Sequence, residues 1–257
     1  MELIEYHDVT IAYDPKRPVI SHAELRIPQG GITALLGPNG SGKTTLLSVL
    51  NRLLRPVSGE VFVGGRALSA ISHRELARTI ATVPQFSAPS FDYTVEHMIL
   101  WGRAPHVAYL PRKADLAVVD QTIERMGLER LRRRPFSALS GGEKQLVLIA
   151  RALAQTCPVI LMDEPTTYLD IGNQVRILNT IREINAQSGT TFLVTLHEPN
   201  HALYLADEIV LVHHGAIEQG APDAMLTPEN IQTLYGARAA FLDLFDMRYM
   251  AIDSRPQ

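Results

Sequence analysis

Two glycine-bearing stretches stand ahead of segments with helical character. The first, Gly37-Pro38-Asn39-Gly40-Ser41-Gly42-Lys43-Thr44, has the spacing G-x-x-x-x-G-K-[ST] of a phosphate loop, with an apolar strand before it and a helix after it. Glycines there let the backbone curl until successive N–H groups point at one phosphate chain, at a helix N-terminus whose dipole favours an anion. Lys43 then supplies a cation for the β- and γ-phosphates, and Thr44 a hydroxyl for Mg2+. The second stretch, Leu139-Ser140-Gly141-Gly142, is also a helix start suited to an anion, yet it lies too far along the chain to share the first loop. Its presence asks whether the two starts serve the same phosphate.

An acidic pair supplies the next piece of chemistry. The run Val159-Ile160-Leu161-Met162 delivers Asp163 and Glu164 to the C-terminal end of a buried strand, where α/β proteins place their sites. Asp163 there supports Mg2+, through a water, and Glu164 polarises an attacking water as general base. Gln85 follows the strand-like Ala81-Thr82-Val83, and His197 ends the apolar run Phe192 to Leu196. Alone, an acidic pair is often a strand-end cap and such a histidine a satisfied core residue. The phosphate loop gives both a task, because in that fold strand ends converge on the γ-phosphate. A neutral imidazole there donates one hydrogen bond to the phosphate and orients the water.

The surrounding pattern supplies elements to hold these groups. Residues 3–13 and 23–27 alternate apolar and polar like half-buried strands, and Gly30-Gly31 turns the chain into the buried run 32–36. Residues 44–54 read as a helix stopped by Pro56, and 58–65 as a short strand. From about Phe86 to Ser140 the pattern turns helical. Thr94 caps one helix with Glu96 in its first turn, and Leu116, Val119, Ile123 and Met126 mark the inner face of another that ends on Gly127. Strand and helix then alternate again, closing on a strand pair that turns at His214-Gly215, so His213 and His214 read as hairpin residues rather than metal ligands. A tail from Thr227 opens a helix at Pro228.

Composition sets bounds on what these groups can serve. The 257 residues are 46% hydrophobic and 20% charged, enough for a large core. A net charge of −3 gives no basic surface for nucleic acid, and the one basic run, Glu129 to Pro135, reads as a solvated helix end. The single cysteine, Cys157, permits no disulfide within the chain and reads as a small core residue. No apolar run reaches signal-peptide or membrane-spanning length, so a membrane role is expected to come through a partner.

Taken in order, the motifs resemble those of the ATP-binding subunits of ABC transporters and cover nearly the whole chain. They are the aromatic A-loop residue Tyr13, the Walker A loop from Gly37 to Thr45, the Q-loop at Gln85, the signature LSGGEKQ from Leu139, the Walker B run to Glu164, the D-loop Tyr168 to Asp170, and the switch His197. The resemblance implies an α/β fold: a P-loop ATPase core of mostly parallel sheet with an N-terminal antiparallel part and an inserted α-helical subdomain. One ATPase domain would span 1–257, with 1–85 and 158–257 as catalytic core and tail and 86–157 as the helical subdomain. It implies ATP and Mg2+ as cofactors and a head-to-tail homodimer in which each ATP lies between one subunit's Walker A and the other's signature. Tyr13 would stack on adenine, and Thr45 would contact the α-phosphate. Ser140, Gly141 and Gly142 would bind the partner's γ-phosphate, and Asp170 would couple the two sites. Catalysis falls to Glu164, His197, Gln85 and Lys43, and Mg2+ to Thr44, Gln85 and Asp163. The chain departs from the common signature at Glu143, where glutamine is usual, and at Glu198, where aspartate commonly follows the switch histidine.

The same resemblance implies a subunit at the cytoplasmic face of the cell membrane, held by permease subunits and served indirectly by a substrate-binding protein. The permease would dock near Phe86 to His106, where Phe91, Tyr93 and Trp101 stand. The stretches after Ser140, Glu164 and His197 look most like subunits of iron–siderophore, haem and cobalamin importers, with molybdate or tungstate as the alternative cargo. A non-transport ABC ATPase of translation or DNA repair is a more distant alternative: the chain has one Walker A rather than two and no long coiled-coil insert. A small-molecule kinase would leave LSGGEKQ unexplained.

Overall fold

The computed structural model describes residues 2–14, 16–85, 91–245 and 247–253. Along the chain these form β1 (Glu2–Asp14), β2 (Arg17–Pro28), β3 (Ile32–Leu36), α1 (Lys43–Leu50), β4 (Ser58–Val63), β5 (Arg66–Ala67), α2 (His73–Thr79), β6 (Ile80–Val83), α3 (Val95–Leu100), α4 (Lys113–Arg125), α5 (Gly141–Ala154) and β7 (Val159–Met162). There follow α6 (Ile171–Ser188), β8 (Thr191–Thr195), α7 (Pro199–Leu205), β9 (Glu208–His213), β10 (Ala216–Gly220), α8 (Pro222–Met225), α9 (Pro228–Tyr235), β11 (Arg238–Leu244) and β12 (Met247–Asp253). Two compact units result, one of Met1–Ile71 with Ile184–Gln257, the other Ser72–Glu183.

The first unit contains an antiparallel sheet in the order β2-β1-β4-β5. Alternation in β1 buries Ile4, Tyr6, Val9 and Ile11, as period-two patterning requires. Tyr6 is wholly enclosed, and its hydroxyl donates to the Leu46 carbonyl of α1 at 2.9 Å. That bond satisfies a polar atom that burial would otherwise penalise, and it ties the sheet to the helix that follows the phosphate loop. The pairing of β1 with β2 slips between Tyr6 and Val9, where Asp8 has φ 51°. A Cβ on Gly59 would lie 2.3 Å from the Asp8 carbonyl oxygen, so only glycine passes this bulge.

A second set of strands in this unit runs β10-β9-β3-β8, with β3 parallel to both β8 and β9. Every residue of β3 and β8 is buried, Thr33, Thr191 and Thr195 included, as in parallel strands covered on both faces. The strand pair β9–β10 turns on His214 and Gly215, both left-handed (φ 48° and 80°), the geometry a two-residue hairpin demands. The expected helix after the phosphate loop stops at Leu50, short of Pro56. Its chain leaves through left-handed Arg52, whose guanidinium reaches the carbonyls of Leu68 and Ile71, a long-range tie that overrides local pattern. The tail helix begins as expected, with Thr227 accepting from Asn230 N–H and Pro228 in the first turn. The antiparallel pair β11–β12 beyond it was not anticipated.

In the second unit β6 and β7 pair in parallel from Ile80↔Val159 to Val83↔Met162. Among the described residues 91–157 no strand forms. Thr94 caps α3 as expected, accepting from His97 N–H. The inner face of α4 differs from its reading, since Val119, Ile123 and Met126 are buried but Leu116 is exposed. Its place in the helical period puts it at the edge of the buried stripe. Helix α5 is capped from both sides: Ser140 Oγ accepts from Glu143 N–H, and the Glu143 carboxylate accepts from Ser140 N–H at 2.8 Å. The same reciprocal box, unremarked in the sequence reading, starts α2 with Ser72 and Glu75.

Hydrogen bonds from the Ser140 backbone and side chain hold the Glu143 carboxyl below the ordinary glutamate range. A depressed folded-state pKa gives stability that is present above the unfolded value and lost as pH falls through the folded one. Glu143→Ala should therefore destabilise the protein by about 1 kcal/mol at neutral pH. The gap to wild type should shrink below the ordinary carboxylate range, as followed by denaturant titration at several pH values.

Candidate functional site

In the first unit the chemistry-bearing residues stand directly beyond paired strand ends. Leu35 of β3 is opposite Thr195 of β8, so Gly37 and His197 each lie two residues past the same rung. Leu196 N–H donates to Leu35 O at 3.0 Å and carries the pairing one step further toward His197, which is half-buried. The loop Gly37 to Thr44 then bends through left-handed Gly40 (φ 77°) and Gly42 (φ 111°) into α1. At Gly37 a Cβ would sit 2.2 Å from the Val212 carbonyl oxygen and 2.8 Å from Ser41 Oγ, and at Gly42 it would strike Ile20. The cradle is therefore closed to any side chain at either place.

Lys43 is buried and folds back over this loop, its Nζ donating to the carbonyls of Gly37 at 2.8 Å and Pro38 at 3.1 Å. The Ser41 hydroxyl is enclosed and meets no partner. An enclosed, unspent donor among inward-curling glycines suits an anion with several acceptor oxygens. Asn39 and Thr44 lie at the surface of the loop, while Thr45 is buried with its hydroxyl 3.4 Å from that of Tyr13. The Tyr13 ring is 69% exposed, which leaves a flat aromatic face beside the loop.

The second unit repeats the strand-end arrangement. Val83 of β6 faces Met162 of β7, so Gln85 and Glu164 each stand two residues past that rung. Asp163 N–H donates to Val83 O at 3.0 Å. Glu164 is left-handed (φ 50°), a conformation that costs a non-glycine residue on the order of 1–3 kcal/mol. Its Oε2 accepts from Gln85 Nε2 at 2.5 Å and from Thr167 Oγ1 at 3.2 Å. Two neutral donors thus orient the carboxylate.

Farther along this unit, the start of α5 and the segment after β7 are built together. A Cβ on Gly142 would lie 2.2 Å from Asn173 Oδ1. Asn173 is in turn held by Asp170, whose carboxylate accepts from its backbone N–H at 2.8 Å and its Nδ2 at 2.7 Å. Asp170 therefore reaches the Ser140-Gly141-Gly142 start through Asn173 within one chain. Neither Asn173 nor Thr167 stood out in the sequence; Gly142, demanding a close neighbour, was the available signal. Tyr168 (81% exposed) and Ile171 (79% exposed) leave an apolar rim beside Asp170.

Of the expected aromatic group, Tyr93 meets Trp101 edge-on at 4.3 Å and Phe91 at 6.1 Å, and Phe91 is exposed. Residues 86–90 of that expected docking stretch lie outside the described residues. Cys157 is buried and burial pushes its thiol pKa up to about 12, consistent with a core residue. Among the described residues no group of three or more His, Cys, Asp and Glu is arranged for a metal ion, and no helix is long and apolar enough to cross a membrane.

A family model described as "ABC transporter" matches residues 20–167. A cobalamin import ATP-binding protein of Halobacterium salinarum is 40% identical over 220 residues, 85% of this chain, and the chain spans only 55% of that relative's length. The ferric enterobactin transport ATP-binding protein of Escherichia coli is 36% identical over 91% of this chain and 88% of its own. A structure assigned to a metal-chelate type ABC transporter, inward-facing, superposes with a TM-score of 0.87 at 29% identity, covering 98% of this chain and 97% of that one. The ADP-bound form of an ATP-binding cassette gives 0.82 at 26% identity over 92% and 99%. With more than half of the residues inside the family model and nearly the whole fold shared, the chain belongs to the ABC transporter family, as an ATP-binding cassette.

Proposed function

We propose that this chain is the ATP-hydrolysing subunit of an importer, energising uptake of a metal chelate of the iron–siderophore, haem or cobalamin class. The observation that carries the reading is the Gln85–Glu164 hydrogen bond. A strained, oriented carboxylate directly past a buried strand, in a chain whose other unit holds a phosphate loop, is a base for water attack on a γ-phosphate. The cargo class rests on the printed names of relatives, which include achromobactin, ferric enterobactin and hemin transport or import proteins at 36–37% identity.

In this reading the loop from Gly37 to Gly42 wraps the phosphates of ATP, and Lys43 leaves its two loop carbonyls for the β- and γ-oxygens. Thr45 meets the α-phosphate, and Tyr13 offers its exposed face to adenine. Thr44, Gln85 and Asp163 present only hard oxygen donors, the set Mg2+ prefers. When bound, Mg2+ neutralises charge on the phosphate oxygens. Glu164 accepts the proton of the attacking water, and His197 donates to the γ-phosphate. Release of two loop carbonyls by Lys43 and the spare Ser41 donor make the loop responsive to the anion it binds.

The subunit works as a head-to-tail homodimer. The N–H groups of Gly141 and Gly142 and the Ser140 hydroxyl close on the partner's γ-phosphate, while the exposed rim at Tyr168 and Ile171 meets the second copy. Glu143 already sits on the Ser140 N–H, so the two glycines and the hydroxyl carry the contact. A single domain over 1–257, with 86–157 as its permease-facing helical part, fits this assembly. Phe91, Tyr93 and Trp101 offer the docking face, and the subunit lies at the cytoplasmic side of the membrane.

Glu164→Gln should retain ATP binding and lose about 10²–10⁴-fold in turnover, with a stable dimer visible by size-exclusion chromatography in ATP. Wild-type turnover in that variant refutes the base assignment. Ser140→Arg should bind ATP normally but lose cooperative hydrolysis; an unchanged Hill coefficient removes the shared site. For the cargo, the chain reconstituted with its permease and binding protein should hydrolyse ATP faster with a ferric siderophore, haem or cobalamin. Stimulation by molybdate instead reassigns the transporter.

A further inference from the structure

The basic run Glu129 to Pro135 reads from the sequence as a solvated helix end, and the structure divides it. Arg132 is engaged with carboxylates, its Nη2 donating to Glu96 and, at 2.6 Å, to Asp120 Oδ1. Arg134 is turned the other way. Its Nη2 donates to the Ala138 carbonyl at 3.2 Å, and its own backbone carbonyl accepts from Val95 N–H at 3.1 Å. These two bonds hold the guanidinium beside the turn that leads into Ser140, and its Nη1 lies 4.0 Å from Glu143 Oε1.

The Glu143 carboxylate bridges the two sides of this corner. Its Oε2 accepts from Ser140 N–H at 2.8 Å, and its Oε1 faces Arg134. The charges of Arg134 and, on α6, Arg176 both act on it, and the hydrogen bonds from Ser140 keep it ionised at neutral pH. A capping box needs only an acceptor at this position, and glutamine supplies one without charge. The charge of Glu143 is therefore surplus to the cap. The side chains of Arg134 and Glu143 are 49% and 30% exposed, so their mutual attraction is screened and adds little to stability. Each charge still stands at the rim of the helix start that, in the reading above, receives the γ-phosphate held by the partner.

We propose that Glu143 and Arg134 are an opposed charge pair that sets how much ATP is needed to close the dimer. The carboxylate weakens the hold of Ser140, Gly141 and Gly142 on the incoming terminal phosphate by like-charge repulsion, and the guanidinium strengthens it. The carboxylate also occupies the Ser140 N–H, one of the donors a phosphate would otherwise take. Dimer closure is thereby held back until the nucleotide brings a full terminal phosphate to the glycines. This inference rests on the shared-site reading above.

The test uses the full-length chain carrying Glu164→Gln as parent, with dimerisation followed by light scattering against ATP concentration. Glu143→Gln should melt like the parent, because the cap persists, and should lower the ATP midpoint about three- to tenfold. Arg134→Gln should raise the midpoint by a similar factor. Arg134→Lys, which keeps the charge, should stay within about twofold of the parent, and the Glu143→Gln/Arg134→Gln double variant should return close to it. All differences should close in about 1 M salt, where the Debye length is about 3 Å. Arg134→Gln leaves the capping box intact, so its shift is read even where Glu143→Gln is destabilised. An unmoved midpoint in both single variants, shifts of the same sign in the two, or shifts that persist in high salt each overturn the pair. A parent that never dimerises with ATP refutes the shared site and the pair with it, whereas ATP-driven dimers with unmoved midpoints overturn the pair alone.

Discussion

A parallel strand buried on both faces has no room for a charged or large polar side chain until it ends, and the residues proposed above for phosphate chemistry stand just past such ends. β3 and β8 are buried along their whole length, as is β7. Gly37, His197, Gln85 and Glu164 each appear two residues past the last rung of a pair. Backbone hydrogen bonds beyond those rungs, from Leu196 to Leu35 and from Asp163 to Val83, extend the rigid ladder almost to the reacting groups. The register of each pair sets where these residues stand, so a one-residue slip would move the residues past its last rung.

Close backbone approach is the second constraint. Gly37 is pressed by the Val212 carbonyl of the neighbouring strand, and Gly142 by Asn173. At both glycine-bearing helix starts a neighbour leaves no space for a Cβ. They differ in what already occupies them. The loop at Gly37 holds its own lysine and an unspent serine hydroxyl, while the start of α5 holds the carboxylate of Glu143. One start has a cation folded over it, the other an anion seated at its edge.

Strain and unsatisfied polar atoms occur at a few of the candidate positions. Glu164 is left-handed, and the enclosed hydroxyl of Ser41 lies in the loop. Other buried polar atoms are satisfied, as where Tyr6 reaches Leu46 or where Arg103 meets Asp115 and the Ala154 carbonyl, while Gln145 Nε2 is enclosed without a partner. Stability lost at the site is thus offset by satisfied contacts in the scaffold.

The phosphate loop, the signature, the acidic strand end and the switch histidine were legible from residue types and spacing, because each depends on a short segment whose backbone needs specific residues. The buried strands were equally plain, since an apolar run of four or five residues leaves few options. What depended on distant neighbours was not legible. Helix α1 ends at Leu50 because Arg52 reaches carbonyls near residue 70. Leu116 shares a periodic stripe but lies at its exposed edge. Asn173 matters because Gly142 packs on it. The sequence by itself determined which groups can do phosphate chemistry and on which strand ends they ride. Only the tertiary structure decided which side chains orient them, because hydrogen bonds and close contacts between residues far apart in the chain leave no period to read.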